Sequence, residues 1–141
     1  MRPKRLLSED AASTSFGRWL MSHSATHIPF AVEPVVADAI REFARRLNGL
    51  YPVRRVILFG SRARGTPRKD SDADVAVLLH GVRGCNFLDT KLEMVDLAYD
   101  VLLDTGIYIQ PLPIWENEWD HPETHSNPRL LQNIGREGIP I

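Results

Sequence analysis

Two carboxylates, Asp72 and Asp74, stand one residue apart, and ten residues separate them from a Gly-Ser pair, Gly60-Ser61. On a strand, alternate side chains leave the same face, so Asp72 and Asp74 would crowd together. Crowded acids repel unless a cation sits between them, and oxygen ligands of this kind suit Mg²⁺ or Mn²⁺. Such an ion also grips the phosphates of a substrate. The Gly-Ser pair ends a run of apolar residues, Val56-Ile57-Leu58-Phe59, that reads as a buried strand. A strand turning there into a short helix would present backbone N–H groups to phosphate, with the Ser61 hydroxyl adding one hydrogen bond. Gly60 has no side chain to obstruct a ligand's approach. Arg62, Arg64 and Lys69 would neutralise the remaining phosphate charge. Together these residues suit nucleotidyl transfer: a hydroxyl attacks the α-phosphorus of a metal-bound triphosphate, and pyrophosphate leaves.

The elements that must position these residues are legible on both sides. Pro34 suits the first position of a helix carrying Val36, Ile40, Phe43, Ala44 and Leu47 on one face. Arg41, Glu42, Arg45 and Arg46 fall away from that stripe, and Asn48-Gly49 stops the helix. A strand is predicted over Val53–Phe59, a helical turn over Ser61–Gly65, a loop over 66–71 and a second strand over Asp72–Leu79. Asn86 would cap the next helix, with Asp89 in its first turn and Thr105-Gly106 at its end. A third strand over Ile107–Ile114 contains Pro111 and Pro113, which confines its far half to an edge or a bend. Trp115 to Ser126 reads as an acidic, aromatic linker, and Asn127-Pro128 opens a last short helix ending at Gly138. The order helix, strand, strand, helix, strand, helix predicts an α/β (α+β) domain, a small mixed sheet flanked by helices, over residues 31–141. Residues 1–30 read as an N-terminal extension with a weak apolar period around Phe16, Trp19 and Leu20.

The chain has 141 residues, 43% hydrophobic and 25% charged, which suits one globular domain. Its single cysteine, Cys85, excludes a disulfide framework or a multi-cysteine zinc site and reads as inert. No apolar run approaches a membrane span and the basic start lacks a signal-peptide core, so a cytoplasmic soluble protein is expected. The net charge of −1 hides an asymmetry. Residues 54–69 contain six cations and no acid, whereas residues 85–141 are acidic, with only Lys91, Arg129 and Arg136 basic. A short basic stretch suits a nucleoside triphosphate, and the acidic remainder disfavours direct nucleic-acid binding.

The segment GSRARGTPRKDSDADVAVLL resembles the minimal nucleotidyltransferases of the DNA polymerase β superfamily, in particular those encoded beside HEPN-domain toxins. The ending NPRLLQNIGREGIPI is similar to their usual C-terminus, and the resemblance covers roughly residues 33–141. It implies a polymerase-β-like core acting as an antitoxin that transfers AMP from Mg²⁺-bound ATP to a tyrosine of a HEPN ribonuclease toxin. By motif, Gly60 and Ser61 would hold phosphates while Asp72 and Asp74 hold the metal. The superfamily pattern usually adds a third carboxylate on a neighbouring strand. The predicted third strand has no acid, and Tyr108 or Gln110 falls near that place.

Two other readings compete with this one. The protein could neutralise its partner by contact alone, or it could be a stand-alone transferase modifying a small hydroxylated molecule. The acidic stripe Asp89, Glu93, Asp96, Asp100 and Asp104 reads as a solvated helix face opposite Leu88, Leu92, Val95 and Leu102, with docking of a basic toxin as the sharper alternative. Arg54 and Arg55 read as solvated. Trp115 and Trp119 read as packing residues. His121 and His125 do not keep the order of a zinc-protease helix, and Pro122 interrupts it.

Overall fold

A computed structural model describes residues 32–65, 72–83 and 87–141. The N-terminal extension, Lys69, Cys85 and the Asn86 cap lie outside the described residues.

Helix α1 (Pro34–Asn48) begins with its proline in the first turn and buries Val36, Ala37, Ala39, Ile40, Phe43 and Leu47. Its outer face is an ion-pair ladder as well as a solvated surface. Glu42 accepts from Arg45 and, at 2.7 Å, from Arg46, whose guanidinium also reaches Asp104 at 2.6 Å. The two arginines hold the Glu42 carboxyl down to about 2.

Strand β1 (Val53–Phe59) pairs antiparallel with β2 (Ala73–Leu79), and β2 pairs parallel with β3 (Ile109–Trp115). A parallel pair needs a crossover, and helix α2 (Phe87–Thr105) supplies it. The four-stranded order is β3-β2-β1-β4, with β4 (Ile139–Pro140) antiparallel to β1. Period-two alternation divides the apolar residues between two cores. Val56, Leu58, Val75, Val77 and Ile109 face α1 and α2. Ile57, Ala76, Leu78 and Ile114 face Leu131 and Ile134 of helix α4 (Pro128–Glu137), with Trp119 alongside. Trp115 packs against the first core and Trp119 against the second. Strand β3 is an edge strand, so the missing N–H groups of Pro111 and Pro113 cost no ladder bond. Asn127 caps α4 by accepting from the Leu130 N–H at 3.2 Å.

Several sequence expectations change. Asp72 precedes β2 instead of opening it, and β3 starts at Ile109. The linker after Trp115 holds a short helix α3 (Glu116–Asp120) and a 3-10 turn (Pro122–Thr124). Buried Glu118 anchors α3, accepting from the Trp115 N–H at 3.4 Å and pairing with Arg83 at 3.1 Å. Arg54 and Arg55 lie inside β1; Arg54 pairs with Glu116 at 3.8 Å and Asp120 at 3.6 Å. The last strand, β4, is too short to leave a periodic signal. The largest correction is the rotation of α2, which turns Thr90, Met94, Ala98 and Val101 to the core and leaves Leu88 and Leu92 in solvent. Small Thr90 and Ala98 let the helix lie close to its neighbours, which the longer leucines would prevent.

The corner from α4 into β4 depends on Gly138. A Cβ there would collide with the Ile134 carbonyl oxygen and the Ile57 side chain, although the backbone angle itself is ordinary. Gly138→Ala should therefore destabilise the fold by about 1–3 kcal/mol through overpacking, read as a lower thermal midpoint. An unchanged midpoint would show that the α4–β1 contact gives way without cost.

Candidate active site

The site forms where β1 ends. Gly60 follows Phe59 with φ +79°, a left-handed conformation that favours glycine. Its carbonyl accepts from the N–H groups of Ala63 and Arg64, both at 3.1 Å. The short helix expected after Gly60 is thus one hydrogen-bonded turn, ended by Gly65 at φ +76°. The amides at the head of such a turn point away from its own carbonyls and suit an anion.

Phe59 lies opposite Asp74 in the β1–β2 ladder, which brings the two halves of the motif together. A Cβ on Gly60 would sit only 2.5 Å from Asp74 Oδ2. Asp72 is exposed at the mouth of β2 and half-buried Asp74 lies just inside the strand. Burial pushes the Asp74 carboxyl above its ordinary range, the negative charge of Asp72 adds to that shift, and Arg64 opposes it. Ser61 is half-buried in the turn.

The two arginines of the turn part company. Exposed Arg64 faces the Asp74 carboxylate electrostatically and lies 3.8 Å from Glu137. Arg62 points toward α1, pairing with Glu33 at 3.1 Å, and its side chain is only 12% exposed. Arg64 acts electrostatically on Asp74. A cavity of about 210 Å³ opens beside it, lined by Phe59, Gly60, Arg64, Asn133, Ile134 and Glu137. Sequence reasoning missed Asn133 and Glu137, since no local pattern links α4 to the Gly-Ser turn. Opposite Asp74 on β3 stands exposed Gln110, which with Tyr108 is one of the two residues near the place where the resemblance expects a third acid.

The residues fit a divalent cation. Two carboxylates share one end of the ladder, one raised by burial and by its neighbour's charge, and Gly60's missing side chain lets the Asp74 carboxylate lie against the turn. Mg²⁺ is commonly held by one or two carboxylates plus substrate phosphates. Among the described residues no group of three or more His, Cys, Asp or Glu side chains that could hold a metal ion occurs.

A mixed sheet with a phosphate-type turn closing on an Asp-x-Asp segment at the head of β2 defines a nucleotidyltransferase-type domain. Residues 39–124 match the nucleotidyltransferase domain family, and the chain belongs to that family. Over 81 residues it is 33% identical to a candidate protein adenylyltransferase of Methanocaldococcus jannaschii, covering 52% of this chain and 79% of that protein. Two solved structures also align with it. A candidate nucleotidyltransferase from Sulfolobus solfataricus is 25% identical, with a TM-score of 0.44 over 59% of this chain and 69% of that one. A toxin–antitoxin structure with AMP-PNP is 21% identical, with a TM-score of 0.48 over 72% of this chain and 68% of that one. No helix among the described residues is long and apolar enough to cross a membrane.

Gly60→Ala should cost about 1–2 kcal/mol from the left-handed backbone, while displacing Asp74. Nucleotidyl transfer should fall about a hundredfold, and activity near wild type would refute the close approach. Asp74→Asn separates charge from fold. The folded protein holds the Asp74 proton more tightly than the unfolded chain, so ionising it costs stability above the ordinary aspartate range. In chelator the variant should melt at or above the wild-type temperature. Wild type should gain about 2.7 kcal/mol when Mg²⁺ reaches a hundred times its Kd, a gain that fades as acid protonates Asp74. The variant should show no such gain, and an equal Mg²⁺ response in both proteins would place the metal elsewhere.

Proposed function

We propose that this chain transfers AMP from ATP to a hydroxyl of a partner protein, as the antitoxin that silences a HEPN-type ribonuclease toxin by modifying one of its tyrosines. The observation that carries the transfer chemistry is the Gly60–Asp74 approach, with the charges of Asp72 and Arg64 both acting on Asp74. The protein acceptor is favoured by the family resemblance of residues 33–141 and by the kinship with a candidate protein adenylyltransferase. Asp72 is exposed, so an acceptor on another protein can approach that edge.

In this reading Gly60 and Ser61 cradle the triphosphate, and Arg64, steadied by Glu137, balances its charge. Arg62 shapes the turn through Glu33. Lys69, close in sequence to Asp72, would add a further positive charge. Asp72 and Asp74 would hold Mg²⁺ or Mn²⁺, which when bound polarises the phosphates. The accepting oxygen bonds to the α-phosphorus as the bond to the bridging oxygen breaks. Pyrophosphate departs and the hydroxyl proton passes to water.

A second reading, neutralisation by contact alone, draws on Gln110, an amide standing across from Asp74 without a carboxylate's charge. One experiment separates the two. The chain is co-expressed with the HEPN protein encoded next to it, and the intact mass of the toxin is measured. Wild type should add one or more AMP increments, and the Asp72→Asn, Asp74→Asn double variant none. An unmodified toxin that is still silenced by both proteins would favour contact inhibition and end the catalytic reading.

A further inference from the structure

Helix α2 carries three faces where a surface helix usually carries two. Thr90, Met94, Ala98 and Val101 enter the core. Next around the helix come Leu88, Leu92, Val95, Tyr99 and Leu103, recurring at three- and four-residue steps. Four of these are largely solvent-exposed: Leu88 63%, Leu92 54%, Tyr99 54% and Leu103 67%. The acids follow beyond that seam. Glu93 and Asp104 are used within the chain, bonded to the Tyr51 hydroxyl and to Arg46. Asp89, Asp96 and Asp100 remain exposed along one edge of the seam.

We infer that this seam is a docking surface for a basic amphipathic helix of a partner protein. Large aliphatic side chains in a row are the anchors of helix-in-groove recognition, and a one-sided border of acids selects a cationic flank. Charge complementarity also argues against self-association, because antiparallel pairing of two α2 seams would set Asp89, Asp96 and Asp100 against their own counterparts. The seam has a useful direction. Its Leu103 end runs through Thr105 to Tyr108, whose carbonyl accepts from the Ala73 N–H at 2.9 Å, between Asp72 and Asp74. A helix laid on α2 is therefore delivered to the same end of the sheet as the two carboxylates. This extends the protein-acceptor reading by saying how the acceptor is held, but it involves no nucleotide chemistry.

The test uses the full chain without ATP and two designed helical peptides of about five turns. One carries leucines at three- and four-residue spacing flanked by lysines; its twin has glutamate at every lysine position. Fluorescence anisotropy should show the lysine peptide binding in a salt-sensitive manner and the glutamate twin failing. Leu92→Glu with Tyr99→Glu should weaken binding at least about tenfold, with the melting temperature unchanged because both side chains are exposed. Should that pair unfold the protein, Asp96→Lys with Asp100→Lys decides by reversing the preference toward the glutamate twin. Equal binding of both peptides, binding indifferent to the variants, or no binding because the chain itself covers the seam would each overturn the inference. So would a dimer in sedimentation that Leu92→Glu dissociates, since a second copy would then own the face. Because ATP is absent, peptide binding and AMP transfer fail independently.

Discussion

The approach of Gly60 to Asp74 is the constraint on which the rest of the site depends. The antiparallel ladder sets Phe59 opposite Asp74, so the chain leaving β1 must turn against a carboxylate. Only a residue without a Cβ and tolerant of positive φ can occupy that position. The turn that follows then carries Arg64, whose charge acts on Asp74, and Arg62, which pairs with Glu33. Loss of this contact would separate the phosphate cradle from the acids without removing a single functional group.

The sheet holds that contact by burying both faces. Strand β2 is apolar from Ala73 to Leu79 apart from Asp74, because helices cover it on one side and α4 on the other. Asp74 sits at the strand end, where the carboxylate still reaches solvent, and a few residues deeper it would be enclosed by Leu78 and Ile114. Helix α4 contributes more than cover. Its last residue, Glu137, steadies Arg64, and Gly138 lets the chain turn at once into β4 on the free edge of β1.

Electrostatics divide the molecule in a way that net charge conceals. The cations before and within the turn are partly neutralised internally, Arg54 by Glu116 and Asp120, and Arg62 by Glu33. Exposed Arg64 pairs with Glu137 and acts on Asp74, where a triphosphate would bring compensating charge. The acidic side of α2 is divided likewise, two carboxylates tied inward and three left at the border of an apolar seam. A chain with near-balanced composition thus presents separate surfaces suited to an anion and to a cation-bearing partner.

Much of the architecture was legible because its signals are local. Pro34 and Asn48-Gly49 bounded α1, the run Val53–Phe59 matched β1 residue for residue, and Pro111 and Pro113 placed β3 at an edge. Asp72, Asp74 and Gly60 could be singled out as candidates by their spacing and by glycine's missing side chain, although Asp72 precedes β2. What the sequence left open concerned directions in space. Which stripe of α2 enters the core, which way Arg62 turns, and that Glu137 and Asn133 border the Gly-Ser turn were decided by packing between segments far apart in the chain. An apolar stripe states that a surface wants cover, whereas only the assembled sheet and helices determine whether this chain supplies it.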